Sequence, residues 1–179
     1  MKSNEELATF AGGCFWCMEH DFGKIRGVLS VISGYTGGDE IDPTYQDVLS
    51  GTTNHVEAIQ VTFNPSVVSY EELLRHYFYN IDPTRDDGQF CDTGRQYRPV
   101  IFYHNDRQEE LAKKFKQILI DSQKFDRVLV QILPAMRFNP AEENHQKYYK
   151  KCPMRYKFYR YTCGREKRLS ELWTNFAPF

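Results

Sequence analysis

No stretch of this sequence is apolar enough to cross a bilayer. Short apolar runs such as Val128 to Val130 fall far short of the roughly 20 residues a spanning helix needs. Neither sign of charge dominates: 23 Lys and Arg face 24 Asp and Glu, a net charge of −1. That balance excludes broad attraction to nucleic acid or an anionic membrane as the main business of the chain. Internal repeats and low-complexity segments are missing too. The first residues, Met1 to Glu6, run straight into strand-like sequence and leave no room for a signal peptide. A cytoplasmic setting is therefore expected. Cysteine is sparse and odd in number: Cys14, Cys17, Cys91, Cys152 and Cys163. An odd count without a secretory signal speaks against a disulfide framework and for thiols kept reduced or used in chemistry.

What is present is one domain's worth of chain. Its 179 residues suffice for a full core without staples. Aromatics reach 15%, enough to line a pocket as well as fill a core.

Strand-like and helix-like segments alternate. Leu7–Phe10 reads as a strand, Gly12-Gly13 turns the chain, and a helix opens near Cys14. Val28–Tyr35 and His55–Phe63 read as strands, with a short helix around Tyr45–Leu49 between them, N-capped by Asp42 with Pro43 at its first position. Ser69 and Glu72 make a capping box for a helix running to about Asn80. Val100–Tyr103 is a strand. Asn105 caps a helix with Leu111, Phe115, Ile118 and Leu119 on one face. Arg127–Leu133 reads as a strand, Asn139-Pro140 as the opening of a helix with Glu142 in its capping box, Tyr156–Tyr161 as a strand and Lys167–Phe176 as a last amphipathic helix. Interleaved strands and helices imply an α/β or α+β domain. The segment 82–98 has no periodicity. Long irregular connections in compact domains tend to be functional or disordered, and this one is read as ordered and functional.

The sharpest chemical signal is Gly12-Gly13-Cys14-Phe15-Trp16-Cys17. A cysteine at the start of a helix sits at the positive end of the macrodipole, and C-x-x-C spacing lowers thiol pKa values. Both favour a Cys14 thiolate. The same spacing places Cys17 one turn away, within reach of a disulfide. Two buried cysteines acting as small hydrophobes, or a zinc site, are the alternatives. Zinc lacks a second close pair, since Cys152 and Cys163 are too widely spaced. Phe15 and Trp16 could shape an apolar pocket or simply pack. In the strand around Glu57, side chains alternate, so Glu57 shares a face with Ile59, Val61 and Phe63. A carboxyl on the buried face stays protonated near neutral pH, as a general acid requires. Alternatively it escapes at the strand end or pairs with an arginine. Tyr45 and Tyr97 could donate to a substrate oxygen, though most tyrosines only pack. Asp92 is by default a turn residue. His145 reads as a structural helical histidine, and Lys147, Lys150, Lys151 and Arg155 as a solvated face.

Taken in order, Gly-Cys-Phe-Trp at 13–16, Glu19, Gly34-Tyr35-Thr36-Gly37-Gly38, Pro43-Thr44-Tyr45, His55-Val56-Glu57-Ala58, Asp92 with Gly94 and Gln96-Tyr97-Arg98, Asn144-His145-Gln146 with Tyr148, and Cys163-Gly164-Arg165 resemble the A-class peptide methionine sulfoxide reductases over nearly the whole chain. The resemblance implies a two-layer α+β sandwich with a mixed sheet, one catalytic domain over residues 1–179, and no metal or organic cofactor. It implies Cys14 as nucleophile, Glu57 as general acid, Tyr45 and Tyr97 as holders of the sulfoxide oxygen, Asp92 as the acidic partner, and Phe15 and Trp16 as the pocket for the substrate methyl. The expected reaction takes methionine sulfoxide, free or in proteins and of S configuration, through a Cys14 sulfenic acid to an intramolecular disulfide that thioredoxin or a similar dithiol reduces. Many members carry Gly in place of Cys17 and Asn in place of Cys91, and a Gly-rich C-terminal tail with cysteines is missing here. The resolving thiol is therefore Cys17 by local spacing, with Cys163 as rival and Cys91 or Cys152 as possible relays. The competing function is a thiol–disulfide oxidoreductase using Cys14 and Cys17 directly.

Overall fold

A computed structural model describes residues 5–179; the expectation placed on residues 1–4 lies outside the described residues. The chain runs β1 (Glu6–Ala11), α1 (Phe15–Phe22), β2 (Val28–Thr36), α2 (Tyr45–Leu49), β3 (Val56–Phe63), α3 (Tyr70–Tyr79), β4 (Gly88–Gln89), β5 (Asp92–Thr93), a 3₁₀ turn (Arg95–Tyr97), β6 (Val100–Tyr103), α4 (Asp106–Asp121), β7 (Gln131–Pro134), β8 (Asn139–Pro140), α5 (Tyr148–Lys151), α6 (Pro153–Thr162) and α7 (Arg165–Trp173). Six strands form one sheet in the order β7-β6-β1-β3-β2-β8. The sheet is mixed: β6 and β7 are parallel, and the other neighbours are antiparallel.

Strand alternation divides the core. Ala8 and Phe10 of β1 and Ile59, Val61 and Phe63 of β3 join Phe15, Met18, Leu73, Leu74, Tyr77, Phe78 and Phe115 from the helices in the larger cluster. Ala11, Val56, Ala58, Val100 and Phe102 face the other way and form a smaller one. The helix layer thus covers one face of the sheet, as a two-layer α+β sandwich requires. The parity of β3 holds: Glu57 lies on the helix-covered face and is 3% exposed.

Local signals place several elements where the sequence puts them. Ser69 Oγ accepts from Glu72 N at 3.2 Å while Glu72 Oε2 accepts from Ser69 N at 2.8 Å. Asn105 caps α4. Other expectations are corrected. The cap of α2 is Thr44, not Asp42: Thr44 N donates to Asp47 Oδ2 at 2.9 Å and Asp47 N to Thr44 Oγ1 at 3.3 Å. Asp42 instead lies at φ +51° and takes Arg137 Nη2 at 2.7 Å. Asn139-Pro140 opens no helix; it pairs with Tyr35 and Gly34 of β2, and sheet pairing outweighs the capping pattern. The strand expected from Arg127 begins only at Gln131. Tyr156–Tyr161 is helical, not extended. Tyr156 is buried and Tyr159 and Arg160 partly so, while Lys157, Phe158 and Tyr161 are exposed, a period near 3.6 rather than 2. Segment 82–98 is ordered, held by the β4–β5 ladder and the 3₁₀ turn.

Candidate active site

The site begins where β1 meets α1. Gly12 passes so near the chain just after α3 that a Cβ there would lie 2.6 Å from Ile81 Cγ2. Gly13, at φ +88°, would put a Cβ 2.8 Å from Gln89 Cβ. Only glycine permits both approaches. They set Cys14 at the N-cap of α1, with no side-chain cap. The free N–H of Phe15 is taken by Glu57 Oε2 at 3.0 Å. Glu57 therefore stands against the helix terminus that Cys14 caps.

Glu57 is a buried carboxyl. Desolvation raises its pKa to about 8 against the pull of the Phe15 N–H, with the charge of Asp92 adding to the rise. It is mostly protonated at pH 7. Cys14 departs from the expected thiolate. Only 7% exposed, its thiol is pushed well up by burial first, then by hydrogen bonding to Cys17 and the charge of Glu57. Desolvation outweighs the helix terminus, and the resting sulfur is a neutral thiol. Cys17, 2% exposed, moves the opposite way: the hydrogen bond from Cys14 lowers it, and Arg165 and Arg160 add to that.

Two tyrosines converge on the pair. Tyr45 starts α2, where its N–H donates to Glu142 Oε1 at 2.8 Å. Tyr97 closes the 3₁₀ turn, its carbonyl accepting from Gly13 N at 3.1 Å. Burial raises both phenols, and the charges of Glu57, Asp92 and Cys14 raise them further. Both stay protonated and able to donate. Asp92 lies on β5, where Tyr159 of α6 donates to its Oδ2 at 2.5 Å. Burial raises this carboxyl too.

Phe15 is fully buried and forms a floor, its ring 6.5 Å from Tyr45 and 5.8 Å from Tyr35. Trp16 is partly exposed and stacks on Tyr148 at 3.9 Å. Its Nε1 donates to His145 Nδ1 at 3.2 Å, and His145 stacks on Tyr45 at 4.3 Å. His145 is therefore part of the aromatic wall, in a turn rather than on a helix. Lys147, Lys150, Lys151 and Arg155 are exposed, as a solvated face should be.

The structure thus brings Cys14, Cys17, Glu57, Tyr45, Tyr97 and Asp92 near enough for their charges to act on one another, with the Phe15 ring 6.5 Å from Tyr45 and 6.4 Å from Trp16. Cys163 stands apart from the reduced thiols: it is bonded to Cys91, 72 residues away, while Cys14, Cys17 and Cys152 are free. Of the two expectations for the cysteines, kept reduced or used in chemistry, this pair departs from the first. The sequence reading missed Tyr159 because it sat in a segment taken for strand. It also missed the role of Glu142, whose other oxygen accepts from Tyr35 at 2.8 Å and so ties α2 to β2. A helical reading of 153–162 would have revealed Tyr159. No local signal marks Glu142. Among the described residues, no helix is long and apolar enough to cross a membrane.

Against known proteins, the family model for peptide methionine sulfoxide reductase matches residues 6–177. A peptide methionine sulfoxide reductase MsrA of Bacillus licheniformis is 53% identical over 174 residues, 97% of this chain and 96% of the relative. The MsrA/MsrB protein of Vibrio cholerae is 51% identical over 96% of this chain; the chain spans 46% of that relative's length. Among solved structures, Mxr1 of Saccharomyces cerevisiae in reduced form superposes with a TM-score of 0.78 at 32% identity, covering 86% of this chain and 89% of that one. The same yeast protein in complex with Trx2 gives 0.57 at 26% identity, covering 83% and 87%.

Proposed function

The chain belongs to the peptide methionine sulfoxide reductase family, and on that premise we propose that it reduces methionine sulfoxide to methionine through Cys14. The observation that carries the reading is a neutral carboxyl, Glu57, bonded to the N–H beside a buried nucleophile. In this reading the sulfoxide methyl lies against Trp16, with Phe15 packed behind it, and the oxygen meets Tyr45, Tyr97 and Glu57. Glu57 gives its proton to that oxygen, making the sulfur electrophilic. Cys14 attacks the sulfur as its own proton passes to the carboxylate Glu57 leaves behind. The phenols steady the charge that develops, and Asp92, held by Tyr159, completes the polar wall. The hydroxyl then passes to the Cys14 sulfur as the substrate sulfur's bonds to oxygen and to Cys14 both break, methionine leaves, and Cys14 is left as a sulfenic acid. No proton is gained or lost overall, which suits a desolvated site.

Cys17 is the resolving thiol. It is free, its pKa is lowered by the hydrogen bond from Cys14, and Cys91 and Cys163 are already joined. Its sulfur displaces water from the sulfenic acid and forms the Cys14–Cys17 disulfide. A dithiol such as thioredoxin returns both to thiols; the complex of yeast Mxr1 with Trx2 supports a partner of that kind. The rival activity, direct exchange with protein disulfides, would show as disulfide reduction with no methionine formed from a sulfoxide. The chain works as one catalytic domain, in the cytoplasm, repairing oxidised methionine, free or in proteins and of S configuration, without metal or organic cofactor. The test is Cys14→Ser: methionine formation from a sulfoxide substrate should vanish with the fold intact, and retained activity would overturn the reading.

A further inference from the structure

Three consecutive residues of one loop are each held by the C-terminal helices. The Phe90 ring lies 4.5 Å beneath the Arg165 guanidinium. Cys91 is joined to Cys163. Asp92 accepts from Tyr159 at 2.5 Å. The sulfurs of Cys91 and Cys163 and a carboxylate oxygen of Asp92 all lie within 4.8 Å of one another. Within the loop, Arg85 Nη1 donates to the Phe90 carbonyl at 3.0 Å and the short β4–β5 ladder flanks the turn. Phe90 has φ +54°, the flanking strands are two residues each, and Cys91 is exposed. Yet Asp92 is close enough to Cys14 and Glu57 for its charge to act on both. Of the three ties, the disulfide alone is covalent and reversible.

We propose that the Cys91–Cys163 disulfide is a redox-controlled clamp that positions Asp92 in the active site, so that the sulfoxide step runs faster with the clamp closed than open. Cys91 and Cys163 are positioning residues here, acting through Asp92 and Tyr159. The inference rests on the function proposed above. Opening is thiol–disulfide exchange with an external dithiol: a thiolate attacks the exposed disulfide, the S–S bond breaks, and the mixed disulfide resolves. Two electrons and two protons reach Cys91 and Cys163 as the dithiol becomes a disulfide. Closing is the reverse exchange, with a small disulfide as oxidant. A freed loop lets Asp92 drift from Tyr159, and small misplacements at a reacting centre slow chemistry markedly.

The experiment is single-turnover quench flow, following methionine formed from a sulfoxide substrate with no reductant present. Wild-type protein is prepared in two states: fully reduced, and with Cys91–Cys163 closed while Cys14 and Cys17 are thiols. We expect the closed form to be about tenfold faster, chiefly in the maximal rate rather than in the substrate concentration needed for half of it. Re-oxidation should restore the fast rate. Cys91→Ser should sit at the slow rate in either redox condition, and Cys163→Ser should match it. Equal rates for the open and closed wild-type forms would overturn the clamp. So would a Cys91→Ser protein with an unaltered single turnover and a loss only in turnover driven by a protein dithiol, the result expected of a relay. If neither the open nor the closed wild-type protein forms methionine, the proposed function fails rather than the clamp.

Discussion

The proposed active site has two walls built by different means. One comes from the sheet core: Cys14 at the β1–α1 junction and Glu57 on β3, a strand paired along its length with β2 and from Ile59 to Phe63 with β1. The other comes from the loop 82–98 and the α6–α7 segment, joined by a hydrogen bond, a cation–π contact and a disulfide. The first wall is placed by burial of side chains such as Phe10, Phe15 and Ile59, all 0% exposed. The second is placed by a few cross-links. Burial fixes position through many contacts at once, so the sheet wall holds the groups whose protonation must be unambiguous. The cross-linked wall can be adjusted by changing one bond.

The largest effect should come from the sheet wall. Cys14→Ser is expected to cut methionine formation by at least about 10⁴-fold, with a thermal midpoint near wild type; a stopped assay and a melting curve check both. Glu57→Gln should slow the single-turnover step about 10²- to 10³-fold with little change in substrate binding. An unchanged rate would remove Glu57 as the acid. The pH dependence sharpens this. With a folded pKa of about 8, the wild-type rate should fall as pH rises through that value, and the limb should be missing in Glu57→Gln. Stability follows the same group. Its ordinary value is 4.5, so between there and about pH 8 the unfolded chain releases a proton that the folded one keeps. Wild-type stability should therefore decline across that window, and more steeply than that of Glu57→Gln, as denaturant titrations at several pH values would reveal.

Smaller effects belong to the cross-linked wall. Tyr159→Phe removes the donor to Asp92 and should slow the first turnover severalfold, about 1 kcal/mol in the barrier. If it slows that step as much as Glu57→Gln does, the two walls are not distinct in kind. Smallest in catalysis is a control remote from both: Ser69→Ala breaks the capping box of α3 and should lower stability by about 1 kcal/mol while leaving turnover unchanged.

Much of the sheet wall was legible in the sequence. The alternation in β3 put Glu57 among Ile59, Val61 and Phe63 before any coordinates, and the glycine pair before Cys14 marked the turn into α1. The cross-linked wall was less so. Tyr156–Tyr161 is rich in aromatics, which favour strands, and only tertiary contacts, of Tyr159 with Asp92 and of Arg160 with Asp21, turn this helical side inward. Asn139-Pro140 carries a helix-opening pattern that pairing with β2 overrides.

By itself, the sequence determined the order of most strands and helices, the caps of α3 and α4 and the face on which Glu57 lies, because these depend on residues a few positions apart. Tertiary structure decided that Cys91 meets Cys163 across 72 residues, that Glu142 joins α2 to β2, and that Cys14 rests as a thiol. Desolvation and disulfide formation depend on which distant segments come together and exclude water, and no local spacing encodes that.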